Sequence, residues 1–288
     1  MPSSTRPDRA TFWQATIDVP ADAVDRVEIA LADLALALSD FEIIGRSDRR
    51  LQALFDAPPD RQALADALTG LDFTLSPVES RDWIAESQRL HTPIDAGRFH
   101  VHGSHRAPAA GRSRHAIEID AGQAFGTGSH ATTFGCLLAL DRLARRRSYR
   151  RTLDLGCGAG VLAFAMARCW PGRVTAADND PVAAQVTWDN ARRNGLAARV
   201  AARICADDGR PVLGLGQNYD LIVANILARP LVGLAGPITR SLAAGGDVVL
   251  SGLLANQEAM VFAAYRARGL RLKHRLPRAG WTTLIVGR

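Results

Sequence analysis

Two glycine-rich stretches stand close together in the chain, AGQAFGTGSHATTFG at 121–135 and LDLGCGAG at 153–160. In the second, Asp154 stands at the end of a strand, and Gly156, Gly158 and Gly160 follow at alternate positions in the turn to a helix. Glycines so placed permit positive φ and let a ligand lie against bare main chain. A dinucleotide fingerprint has the form GxGxxG. Here the third glycine falls one place early, and Val161 occupies the expected position. A carboxylate immediately before the turn points to a nucleoside–amino-acid ligand rather than to a pyrophosphate. The first stretch then reads as a cover for what the second cradles.

Three further positions could carry chemistry. RVTAADND ends in Asp178, whose carboxylate can accept hydrogen bonds from both hydroxyls of a ribose. The competing role is a cap for the helix that opens at PVAAQ, which Asn179 or Asp180 can fill instead. ICADDG offers Asp207 or Asp208 to an adenine edge, or makes a plain turn. DLIVANIL is apolar until Asn225, a carboxamide that must find partners. It either ties down a loop or faces a reacting centre, where its oxygen accepts from an amine. NILA here resembles the (D/N)PPY motif of amino-group methyltransferases. In FHVHGSH, His100 and His102 share one strand face, but no carboxylate or cysteine stands nearby at ligand spacing, so a polar strand edge is expected and no metal. Cys136, Cys157, Cys169 and Cys205 lack CxxC spacing and read as free, mostly buried thiols.

The elements that must position these residues alternate regularly after residue 129. Helix and strand patterns succeed one another to the end of the chain, which argues for a mostly parallel sheet covered on both faces. The two adjacent final strands suit an antiparallel addition at its end. Ligands in such doubly wound α/β sheets sit beyond the carboxyl ends of the strands, near the switch point. The first eighty residues differ: the order βαββαβ is the ferredoxin-like arrangement, with nothing catalytic in it. The expected organisation is a ferredoxin-like unit at 1–80, a linker at 81–106 with a short helix in RDWIAESQRL, and a Rossmann-like domain at 107–288.

Composition bounds the rest. The 288 residues are 47% hydrophobic and 22% charged, with no apolar run near the length of a membrane span. The start, MPSSTRPDRATFW, lacks the apolar core of a secretory signal, so a cytoplasmic location is expected. The net charge of +6 hides an asymmetry. Residues 1–80 carry seven arginines against fourteen carboxylates, and the remainder is strongly basic. Unplanned drift of surface charge explains this, as does a pair of units that face different partners, ribosome or nucleic acid among them.

Taken together, LDLGCGAG, AADNDP, VANILA and above all AFGTGSHATT are similar to the PrmA family, methyltransferases of large-subunit ribosomal protein eleven. The resemblance extends over nearly the whole chain, including the front domain, the DWI linker and SGLLANQ. It implies a class I methyltransferase domain that uses S-adenosyl-L-methionine to methylate lysine side chains and the amino terminus of that protein, with the front domain recognising the substrate. It places cofactor contacts on Thr133, Gly156, Asp178 and Asn225, alongside Asp154, Gly158 and Gly160 of the glycine turn, with Asn225 also orienting the amine. Phe125 and the backbone around Gly126 and Gly128 would close over the cofactor. The segment departs from the family's GTGTHPTT at Ser129, which keeps a hydroxyl, and at Ala131, which loses a proline. His130 either touches substrate or caps the following helix. A monomer is expected, with ribosomal RNA as a contact of the basic half; methylation of another protein or of ribosomal RNA is the alternative. Only Lys273 among thirty-five basic residues is a lysine. GC-rich coding accounts for this, and a lysine-modifying enzyme also gains by offering itself few targets.

Overall fold

Alternation in FWQATIDV sends Ala15, Ile17 and Val19 to one face of the first strand, β1 (Thr11–Val19), and that face is buried. The computed structural model describes residues 11–31, 34–35, 37–42, 48–79, 93–104, 115–120, 131–214, 216 and 218–288. It divides into two units, 1–87 and 88–288. In the first unit β1 is followed by α1 (Val24–Leu31), β2 (Ala37–Glu42), β3 (Arg49–Phe55), α2 (Arg61–Leu68) and β4 (Phe73–Glu79). The four strands form an antiparallel sheet of order β2-β3-β1-β4, the expected ferredoxin-like arrangement. Val27 and Leu31 of α1 and Leu64 and Leu68 of α2 pack on Ile17, Leu51 and Ala53. Asp60 caps α2 by accepting from the backbone N–H of Gln62 and Ala63.

The second unit opens with a small sheet of β5 (Ile94–Ala96), β6 (Phe99–His102) and β7 (Ala116–Glu118). Its first two strands fall inside the stretch read from sequence as linker; RDWIAESQRL lies outside the described residues. The His100 and His102 rings do share a face, stacked 5.5 Å apart. Each ring is engaged locally, His100 Nδ1 with Asp95 Oδ1 and His102 Nδ1 with the Gly103 carbonyl. No group of three or more metal-ligating side chains is found among the described residues.

The main sheet has seven strands: β8 (Arg151–Leu155), β9 (Arg173–Asp178), β10 (Val200–Ile204), β11 (Tyr219–Asn225), β12 (Leu242–Leu254), β13 (Arg271–Arg278) and β14 (Trp281–Gly287). Their order is β10-β9-β8-β11-β12-β14-β13. β8 to β12 pair in parallel, and β14 is antiparallel to both neighbours. The closing pair is therefore the expected antiparallel addition at one end of the sheet. The last strand inserts between β12 and β13, because the chain crosses over to the outer position first and a tight hairpin brings it back.

Helices α3 (Ala131–Ala144), α4 (Val161–Cys169) and α5 (Pro181–Arg193) belong to one core, and α6 (Ala228–Ser241) and α7 (Glu258–Arg266) to the other. β11 shows why its sequence is apolar throughout: Leu221 and Val223 enter the first core, Ile222 and Ala224 the second. Each fully buried aliphatic side chain of this kind contributes roughly 1.5–3 kcal/mol. At the far end of the sheet, buried Asp247 accepts from Tyr149 Oη at 2.6 Å and pairs with Lys273 Nζ at 2.6 Å. The one lysine of the chain is thus held in an ion pair. No helix among the described residues is long and apolar enough to cross a membrane.

The β13–β14 hairpin turns through Ala279 (φ 45°) and Gly280 (φ 79°), the two positive φ values of a type I′ turn. Alanine is strained there, whereas asparagine tolerates the left-handed region. Ala279→Asn is expected to stabilise the protein by about 0.5–1 kcal/mol, a rise of a few degrees in Tm. An unchanged or lower Tm in thermal denaturation would contradict the strain argument.

Candidate active site

β8 pairs with β9 on one side and β11 on the other; the crossovers from β8 and β9 lie on one face and that from β11 on the other, so the order reverses between β8 and β11. The carboxyl ends of β8, β9 and β11 therefore flank the crevice where a doubly wound sheet takes its ligand. Gly156, Gly158 and Gly160 have φ of 73°, 52° and 91°, so the turn after β8 requires all three glycines. Close packing requires two of them again. A Cβ on Gly156 would lie 2.3 Å from Ile226 Cγ2, and one on Gly160 would lie 2.6 Å from the Phe164 ring. The Gly156 and Cys157 N–H groups donate to the Ala177 carbonyl, which ties the turn to the end of β9.

Asp178 continues that tie. Its Oδ2 accepts from Gly158 N at 2.8 Å and its Oδ1 from Asp180 N at 3.1 Å. The cap of α5 is Asp180, which accepts from Val182 N at 2.8 Å, so Asp178 is free of the competing role. Each of its carboxylate oxygens retains a second lone pair. Of the adjacent acids, Asp207 accepts from Asn179 Nδ2, whereas exposed Asp208 turns back on Arg210. On the same rim, Ile204 is in register with Asp178 and 56% exposed, and Val182 is 47% exposed. These apolar side chains were missed in the sequence because each reads as an ordinary strand or helix residue.

Asp154 lies beneath the turn, 1% exposed, with Oδ2 accepting from Ala163 N at 2.8 Å and Oδ1 without a partner among the described residues. Burial pushes its pKa up to about 7; the bond from Ala163 opposes this and the Asp178 charge adds to it. A buried carboxyl with a raised pKa favours the folded state while protonated, so stability is lost as pH rises from about 4 towards 7. Urea denaturation at pH 5 and pH 8 should show wild type losing on the order of a few kcal/mol more than Asp154→Asn over that interval. Parallel losses in the two proteins would refute the assignment. Burial also raises the pKa of the thiols of Cys136, Cys157, Cys169 and Cys205, all four of which are free.

At the end of β11, Asn225 Nδ2 donates to buried Thr133 Oγ1 at 3.4 Å. The Asn225 Oδ1 is buried with no partner among the described residues. Asp154, Gly156, Gly158, Gly160, Asp178 and Asn225 thus stand at or just beyond the carboxyl ends of β8, β9 and β11, with Thr133 bonded to Asn225. Phe125, Gly126, Gly128, Ser129 and His130 lie outside the described residues.

A family model described as "Ribosomal protein L11 methyltransferase (PrmA)" matches residues 28–288. The chain belongs to this family. A ribosomal protein L11 methyltransferase of Sinorhizobium fredii is 46% identical over 284 residues, 95% of this chain and 97% of its own. Another, of Allorhizobium ampelinum, is 39% identical over 282 residues, again 95% and 97%. The crystal structure of ribosomal protein L11 methylase from Lactobacillus delbrueckii subsp. bulgaricus aligns with a TM-score of 0.61 at 25% identity, covering 69% of this chain and 99% of that one. The motif resemblance and the class I methyltransferase fold expected from it both stand.

Proposed function

We propose that this chain is an S-adenosyl-L-methionine-dependent methyltransferase of lysine side chains and the amino terminus of ribosomal protein L11. The observation that carries the cofactor half is the pairing of two carboxylates, Asp154 and Asp178, at the ends of adjacent strands, each bonded to backbone of the glycine turn or of the helix it opens. A pyrophosphate would meet repulsion there. A cationic ligand relieves both the buried Asp154 and its unfavourable neighbour. The residues fit S-adenosylmethionine in other respects as well: Asp178 has lone pairs for ribose hydroxyls, Ile204 and Val182 offer apolar surface to adenine, and the glycine turn has no side chains at 156, 158 and 160 to bar a close approach by the methionyl part. Thr133 adds a hydroxyl beside Asn225.

When bound, S-adenosylmethionine supplies an electrophilic methyl group on a sulfonium. The protein's contribution is then positioning, since an in-line displacement gains most from alignment. Asn225 serves that alignment, because its unpartnered Oδ1 can accept from the incoming amine and hold the nitrogen's lone pair on the line of attack. The amine must be neutral. For a lysine of pKa about 10.4 this costs roughly 4 kcal/mol near neutral pH, and for an α-amino group of about 7.8 far less. Burial of the amine would lower that cost.

The front unit is the proposed substrate-recognition domain. Its excess of carboxylates over arginines would attract a basic ribosomal protein. The KM for the protein substrate is expected to rise at least about threefold between roughly 50 and 300 mM salt; a salt-independent KM would argue against electrostatic docking. The function itself is tested by incubating large ribosomal subunits with the enzyme and methyl-labelled S-adenosylmethionine, then separating protein from RNA. Label in one protein supports the reading, and label confined to RNA overturns it.

A further inference from the structure

The glycine turn is held from a second side by residues that neither the motifs nor the family resemblance singles out. Thr187, fully buried on α5, donates from Oγ1 to the Gly158 carbonyl at 2.7 Å. One turn on, Asn190, 1% exposed, donates from Nδ2 to the Ala159 carbonyl at 2.9 Å. The Asn190 Oδ1 accepts from Arg193 Nη2. Arg193 Nη1 in turn reaches Asp120 Oδ2 at 2.9 Å, and Asp120 Oδ1 accepts from Ser104 N at 2.7 Å. Asn194, the next residue, exchanges two hydrogen bonds with the backbone of Glu118 in β7.

These bonds form one path with a direction. It runs from the carbonyls of the cofactor turn, through the buried face of α5, to Asp120, the residue directly before the first glycine-rich stretch. Carbonyls of a turn whose glycines all adopt positive φ would otherwise face into the protein without partners. With Gly158 N on Asp178 and its carbonyl on Thr187, that residue's backbone is fixed at both ends. Asn190 can satisfy Ala159 only with its amide group in one orientation, and Arg193, donating to the opposite atom, selects that orientation.

We infer that Thr187, Asn190 and Arg193 are positioning residues for cofactor binding: they preset the 156–160 turn and tie it through α5 to Asp120. The inference rests on the proposed cofactor reading. Buried hydrogen bonds of this kind also serve stability alone, so the test adds rescue by the conservative variant and a split between cofactor KM and kcat.

Thr187→Val keeps the shape of the side chain and removes the hydroxyl, whereas Thr187→Ser keeps the hydroxyl. Calorimetric titration with S-adenosylmethionine should give a Kd raised about tenfold in Thr187→Val and Asn190→Ala, and within about twofold of wild type in Thr187→Ser. In turnover the loss should appear in the cofactor KM more than in kcat. Arg193→Ala and Asn190→Ala should combine to less than the product of their separate effects, as members of one path do. Amide hydrogen exchange of the ligand-free protein should quicken roughly tenfold at residues 158–161 in Thr187→Val. Variants that melt lower yet bind and exchange like wild type would overturn the inference. Wild type that fails to bind S-adenosylmethionine would overturn the cofactor reading instead, and the exchange data would still decide whether the path presets the turn.

Discussion

Asn225→Ala is expected to reduce methyl transfer by about a hundredfold or more, with the cofactor Kd changed less than roughly threefold. The fold should survive. The carboxamide stands at the end of β11 and makes one long hydrogen bond, 3.4 Å, to Thr133. Losing such a bond costs about 1 kcal/mol or less. What the substitution removes is the acceptor that nothing among the described residues uses, Asn225 Oδ1. Without it the incoming amine has no fixed orientation, and alignment is the main contribution the protein can make to an in-line transfer. Steady-state kinetics with circular dichroism as a fold control check this. Full activity in a folded variant would remove Asn225 from the reacting centre.

Asp178→Ala should act on binding instead, weakening cofactor affinity by at least about a hundredfold, which corresponds to roughly 3 kcal/mol. Two effects combine. The variant loses the charged acceptor proposed for both ribose hydroxyls, and charge-assisted bonds are each worth about 1.5–3 kcal/mol. It also frees Gly158 N, whose bond at 2.8 Å helps set the turn. Asp178→Asn keeps an acceptor oxygen of the same shape and should fall between alanine and wild type. Calorimetric titration measures both. A wild-type Kd in Asp178→Ala would place the ribose elsewhere and return Asp178 to a purely local role beside Asp180.

The site was legible in the sequence where chemistry and local geometry coincide. Asp178 and Asn225 each end a largely apolar strand, because a parallel strand buried on both faces is apolar until its carboxyl end, and Asp154 stands between two leucines just before the glycines. The glycines following Asp154 announce a turn that L-side chains do not make, and the φ values bear this out. The ferredoxin-like order of the front unit was legible for a similar reason: its half-buried strands and amphipathic helices have distinct periods. Long-range pairing was less accessible. The insertion of β14 between β12 and β13 depends on contacts between distant segments, and nothing in RLKHRLPRAGWTTLIVGR specifies which side of β13 its partner takes. β5 and β6 are three and four residues long, too short for periodicity to separate from a linker. Thr187 and Asn190 were invisible for another reason. A polar residue within an amphipathic helix reads as solvent-facing, and only the packing of α5 against the turn reveals that both point inward.

The most direct measurement is the intact mass of isolated ribosomal protein L11 after incubation with the enzyme and S-adenosylmethionine, with Asn225→Ala in parallel. The account predicts gains in multiples of about 14 mass units on L11, mapped by fragmentation to lysines and the amino terminus, and little or no gain with the variant. An L11 of unchanged mass, in a reaction where RNA or another protein becomes methylated, would leave the cofactor site standing and contradict the substrate.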